Sequence, residues 1–147
     1  MSEPKYYLRL SGLLQRLMQL SRTQAHHYSL SQGLSLSECR VLFLLRSGKP
    51  VEMNEVKNSL FVTGAFATSI ADRLVRHKLV VRQRDDKDRR KVTMMLTDKG
   101  KHCLVRLKAH RKSLLEALLS DLTEKDKEIM EKGLLILVAS LESTKRV

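Results

Sequence analysis

The stretch from Arg84 to Gly100 constrains this chain more than any other. A polar turn of alternating charge, Asp85-Asp86-Lys87-Asp88-Arg89-Arg90-Lys91, stands between two short runs rich in β-formers, Leu79 to Arg84 and Val92 to Leu96. Thr97-Asp98 then starts a helix, with a capping hydroxyl followed by a carboxylate at the positive end of the helix dipole. Strand, basic turn, strand is the sequence form of a wing, a hairpin that lays arginines against a nucleic-acid backbone or into a groove. Any fold for this chain must therefore hold a small β-hairpin.

The rest of the chain has helical periodicity. Leu10, Leu13, Leu14, Leu17, Leu20 and Tyr28 recur at three- and four-residue steps and predict a helix from residue 6 to about 30, ended by Gly33. Ser35-Leu36-Ser37-Glu38 is a capping-box pattern opening a second helix through Val41, Leu42, Leu44 and Leu45, which stops near Ser47-Gly48. Lys49-Pro50 reads as a turn and Met53 to Leu60 as a short third helix. Thr63 caps a fourth helix to about His77, with Phe66, Ala67, Ile70, Ala71 and Leu74 expected to face inward. Short helix, tight turn and longer helix make the helix-turn-helix pattern, whose second helix meets DNA. A fifth helix follows Thr97, and a sixth is capped by Thr123 and carries Ile129, Met130, Leu134, Leu137, Val138 and Leu141.

These elements predict a mainly α fold with a small β-hairpin wing in a single domain over 1–147. The winged helix-turn-helix lobe takes about 34–100, and helices at about 5–32 and 101–147 carry more apolar surface than that lobe can cover. A two-fold homodimer with interlocked terminal helices accounts for the excess. The formal charge of +12, from 28 Lys+Arg against 16 Asp+Glu, favours a polyanionic partner. The longest wholly apolar run, Leu134 to Ala139, is far short of the ~20 residues a bilayer requires, so no membrane partner is expected. Arg9, Ser11 and Gly12 interrupt any signal region, which predicts a cytoplasmic chain. Cys39 and Cys103 have no metal-ligand spacing, and adjacent His26 and His27 diverge on a helix, so no metal is expected; the cysteines read as reduced, partly buried thiols, with redox sensing as the alternative.

Gly33-Leu34-Ser35-Leu36-Ser37-Glu38 with Val41-Leu42, the helix from Val62 to Leu74, Leu79-Val80-Val81-Arg82, and Asp85…Asp88-Arg89-Arg90…Leu96-Thr97…Gly100 resemble the multiple-antibiotic-resistance regulator (MarR) family over essentially the whole chain. That resemblance implies a dimeric winged helix-turn-helix transcription factor, commonly a repressor of palindromic promoters, often answering to small aromatic or phenolic effectors or to oxidants. One departure is Lys78, which stands where the family usually has a glycine closing the recognition helix. A left-handed backbone there costs a lysine roughly 1 kcal/mol relative to glycine.

From Arg73 to Lys91 the chain carries nine cations against three anions, where the groove and its phosphates should lie. The recognition helix has no Arg, Lys, Asn or Gln from Thr63 to Asp72, hence no bidentate base reader. Thr63, Thr68 and Ser69 offer hydroxyls, Ala65 a methyl, and Gly64 a close approach of the helix N-terminus to phosphate. Direct readout should be weak, with DNA shape supplying much of the specificity. Arg90, and with it Arg89, is expected in a narrow A·T-rich minor groove, with Asp88 holding an arginine in place and Lys91 adding charge. Arg73 and Arg84 are expected on the backbone. Arg16, Tyr28, Arg40 and His110 are candidates for gripping an aromatic carboxylate or phenolate effector; no other cofactor is expected. An enzyme is disfavoured, since no Gly-rich phosphate loop, HExxH or GxSxG occurs. The competing reading is an architectural, non-specific nucleic-acid binder.

Overall fold

Leucine spacing builds the first helix, and a glycine ends it. In the computed structural model, which describes residues 3–84 and 91–144, α1 runs Glu3–Ser31. Gly33 takes φ +67°. Its N–H donates to Leu30 O at 2.9 Å while Leu34 N–H donates to Ser29 O at 2.9 Å, the two bonds of a Schellman end. Ser35 then caps α2 (Leu36–Leu44) by the reciprocal box expected: Glu38 N–H donates to Ser35 Oγ at 3.2 Å, and Ser35 N–H to the Glu38 carboxylate at 2.6 Å. A 3-10 turn, Leu45–Ser47, continues to left-handed Gly48.

The helix-turn-helix comprises α3 (Met53–Leu60) and α4 (Gly64–Arg76). Phe61 makes the turn at φ +56°, a left-handed conformation that costs a residue with a Cβ roughly 1–2 kcal/mol. Thr63 caps α4, its hydroxyl accepting from Phe66 N–H at 3.3 Å. Val41, Leu42, Leu45, Val56, Ala71 and Leu74 are wholly buried. Each large one contributes about 1.5–3 kcal/mol of burial. Ala67, Ile70, Ala71 and Leu74 turn inward as expected, but Phe66 does not: it is 51% exposed. It stands four residues before Ile70, at the edge of the apolar stripe and in the first turn, where periodicity alone cannot separate core from rim.

The wing is part of a three-stranded antiparallel sheet in the order β1 (Val51–Glu52), β3 (Val92–Leu96), β2 (Val80–Arg84). Val80 pairs with Leu96 and Val51 with Met94, which is fully buried. The sequence gives no period-two signal for β1 because two residues cannot carry one.

The recognition helix ends at Lys78, φ +59°, with Lys78 N–H bonded to Val75 O (2.8 Å) and Leu79 N–H to Leu74 O (3.0 Å). Lys78 therefore takes the left-handed conformation in which a glycine would be less strained. The start of α5 (Asp98–Leu119) takes up the carbonyls left over. Lys99 Nζ donates to His77 O (2.9 Å), Thr97 Oγ1 to Lys78 O (2.7 Å), and Thr97 N–H to Leu79 O (3.0 Å). Thr97 Oγ1 also accepts from Gly100 N–H at 3.0 Å. Gly100 is where α5 meets this junction: a Cβ there would lie 1.9 Å from Leu79 O. The Leu-Thr-x-x-Gly motif is thus the joint between recognition helix, wing and α5.

The chain divides into two compact units, Met1–Val105 and Arg106–Val147. The first holds α1 to α4, the sheet and the start of α5. Its α1 leaves Leu8, Leu13, Leu17, Met18 and Leu20 in solvent. The second holds the rest of α5 and α6 (Glu124–Thr144), capped by Thr123, whose hydroxyl accepts from Asp126 N–H at 3.2 Å. On α6 Ile129, Leu134, Val138 and Leu141 are exposed. Among the described residues no helix is long and apolar enough to cross a membrane.

Candidate nucleic-acid interface

Helix α4 turns one face outward, and that face is held rigidly. Gly64, Ala65, Thr68, Ser69, Asp72, Arg73 and Arg76 are all exposed, as the periodicity predicts. Two ion pairs, at the consecutive residues Asp72 and Arg73, brace the helix. Behind it, Arg73 Nε lies 3.1 Å from Oε1 of Glu38, which is wholly buried; the contact is an ion pair without an aligned hydrogen bond. The other carboxylate oxygen of Glu38 closes the α2 cap, so one buried side chain ties the start of α2 to the middle of α4. Arg73 keeps about half its side chain in solvent, and that half remains able to meet a phosphate.

From the sheet, Arg82 of β2 donates to Asp72 Oδ1 at 2.5 Å and to Thr68 O at 2.9 Å. Sequence reasoning counted Arg82 as one more cation of the basic stretch. In the structure it is a strut from β2 to α4, and it neutralises the carboxylate on the outward face of that helix. The signal was a lone Asp72 on an otherwise anion-free helix, legible only once β2 was known to return beside it.

Of the wing cations, Arg84 stands exposed at the end of β2. Lys91 immediately precedes the returning strand, and its Nζ lies 2.8 Å from Glu52 Oε1, which joins the wing root to the start of α3. Asp88, Arg89 and Arg90 lie outside the described residues. An open cleft of about 370 Å³ sits at the wing root, lined by Glu52, Met53, Asn54, Thr68, Arg82, Lys91 and Val92. The Arg82 Nε is buried there without a hydrogen-bond partner.

The four residues expected to grip an effector lie on α1, α2 and α5. Arg16 is exposed on α1 and Tyr28 half-buried near its end. Arg40 donates to Ser59 O at 3.1 Å, a cation at the C-terminal end of α3. His110 belongs to the second unit. Both cysteines are buried. Burial, with smaller contributions from Cys103 and Glu38, pushes the Cys39 thiol up to about 11. Little thiolate exists at neutral pH under those conditions, which disfavours Cys39 as a redox sensor.

A family model described as MarR family matches residues 32–91. The HTH-type transcriptional repressor MdtR of Bacillus subtilis is 30% identical over 113 residues, spanning 77% of this chain and 73% of the relative. Among solved structures, the transcriptional regulator BldR from Sulfolobus solfataricus superposes with a TM-score of 0.74 at 28% identity, over 95% of this chain and 99% of that one. Streptococcus pneumoniae FabT, in complex with DNA, gives 0.80 at 24% identity over 93% of this chain and 98% of its own, a likeness of fold.

Proposed function

The chain belongs to the MarR family, and from that membership we propose that it is a homodimeric transcriptional repressor binding A·T-rich palindromic promoter DNA through α4 and the wing. The observation that carries the reading is the bracing of α4. A helix tied to α2 through Glu38–Arg73 and to β2 through Asp72–Arg82 presents Gly64, Ala65, Thr68 and Ser69 from a braced position, as groove insertion requires. The capped N-terminus of α4 offers its free N–H groups to a phosphate, while Arg73, Arg76, Lys78 and Arg84 supply charge around it. Arg89 and Arg90 would enter the minor groove from the wing, with Asp88 orienting one of them. The role is binding, not catalysis, and its place is the cytoplasm with the promoter.

Exposed leucines on α1 and the apolar face of α6 support the homodimer, since a monomer would leave both in water. Dimerisation would set two recognition helices ~34 Å apart, one helical turn of DNA. The effector in this reading is a small aromatic anion. Arg16, Tyr28, Arg40 and His110 remain its candidate ligands, with Arg40 already bonded to Ser59 O. The wing-root cleft has the stronger chemistry: an anion beside Arg82 would compete with Asp72 and loosen the strut that aims α4.

A second reading, a non-specific architectural binder, is favoured by the lack of Arg, Lys, Asn and Gln over residues 63–72. Fluorescence anisotropy on the chain's own upstream duplex and a scrambled one, across a salt series, separates the two. A preference of ~10³ or more is expected for a specific repressor. Equal, steeply salt-dependent affinities would support the architectural reading, and no binding at low salt would refute both.

A further inference from the structure

Two phenylalanines border the start of α4, and folding explains neither. Phe61 is 90% exposed and holds the left-handed conformation, φ +56°, that favours glycine. Phe66, one turn into α4, leaves half its ring in solvent beside Ala65. The chain thus carries backbone strain and exposed aromatic surface within one helix-turn-helix turn, a combination that persists where it serves a contact.

The surroundings indicate what is contacted. Arg73, Arg76 and Lys78 are exposed on and just after the same helix, and Arg84 is exposed on the neighbouring strand. The single carboxylate of α4, Asp72, is neutralised by Arg82. An acidic partner with apolar surface between its charges is complementary to this patch. Duplex DNA has that composition: phosphates separated by deoxyribose faces, and thymine methyl groups projecting into the major groove.

We propose that Phe61 and Phe66 are apolar DNA contacts, Phe66 packing on thymine methyls in the major groove and Phe61 on the sugar face of the flanking backbone. The inference rests on reading the chain as a duplex-DNA binder. It supplies what the helix otherwise lacks: with no bidentate reader between Thr63 and Asp72, base identity is read through methyl groups.

The test uses the full-length protein, its upstream duplex, and the same duplex with deoxyuridine in place of thymidine. Wild type, Phe61→Gly and Phe66→Ala are compared by anisotropy and thermal melting, with Phe61→Asn as a second left-handed-tolerant variant. Phe61→Gly is expected to melt a few degrees higher and yet bind the native duplex about fivefold or more weakly. Removing the methyls should weaken wild type by a similar factor and leave Phe66→Ala nearly indifferent. Slopes of affinity against salt should not change, because no phosphate contact is removed. The inference is overturned if folded variants at both positions bind like wild type, or if Phe66→Ala stays as sensitive to methyl removal as wild type. A wild type that binds no duplex overturns the underlying reading, a distinguishable result.

Discussion

Replacing Gly100 by alanine sets two effects of opposite sign against each other. Gly100 lies in the first turn of α5, where alanine is the better helix former by about 1 kcal/mol. Local propensity therefore predicts a more stable protein. The tertiary contact predicts the reverse: the added Cβ would sit 1.9 Å from Leu79 O, 3.0 Å from its carbonyl carbon and 3.2 Å from Leu96 Cδ2. Relief requires more than an ångström of movement between α5 and the end of α4, both held by packed core. Overpacking of that kind costs about 1–3 kcal/mol. The same movement stretches the 3.0 Å bond from Thr97 N–H to Leu79 O, a further loss of about 0.5–1.5 kcal/mol. Subtracting the propensity gain leaves a net destabilisation of about 0.5–3.5 kcal/mol. Urea unfolding by circular dichroism, at fixed protein concentration because a dimer's midpoint depends on it, measures the difference. A Gly100→Ala protein as stable as wild type, or more so, would refute the reasoning.

Three further outcomes are expected. Lys78→Gly should raise stability by about 1 kcal/mol by relieving the left-handed backbone, read as a higher urea midpoint. Arg73→Ala should cost about 2–4 kcal/mol, because it strands the wholly buried Glu38 carboxylate, and Glu38→Gln in the same background should recover part of that loss in equilibrium unfolding. Cys39 titrates near 9 when unfolded and about 11 when folded, so the folded state holds the proton more tightly. Its contribution is intact below pH 9 and falls as pH rises from about 9 through 11, by about 3 kcal/mol at most; Cys39→Ala should flatten that loss in a pH series of melts.

Features set by neighbours along the chain were readable beforehand. The third helix and the third strand match their expected bounds, Met53–Leu60 and Val92–Leu96. The Ser35–Glu38 box and the Thr63 cap depend on residues within a turn of one another, and each is present. The outward residues of α4 followed from a 3.6-residue period. The inward list failed at Phe66, where the stripe has an edge that periodicity does not mark. Two-residue β1 was invisible for want of length, and the described chain stops short of Arg89 and Arg90.

By itself the sequence determined the helix-turn-helix, the wing, the basic balance and the family, because caps, periods and local motifs act over a few residues. The tertiary structure alone decided which charges remain available to DNA. Glu38 is 35 residues from Arg73, Arg82 is ten from Asp72, and Lys91 is 39 from Glu52. Each pair forms only because a helix or strand returns beside another. Coulomb attraction depends on distance through space, and packing of the apolar core is what brings those charges together.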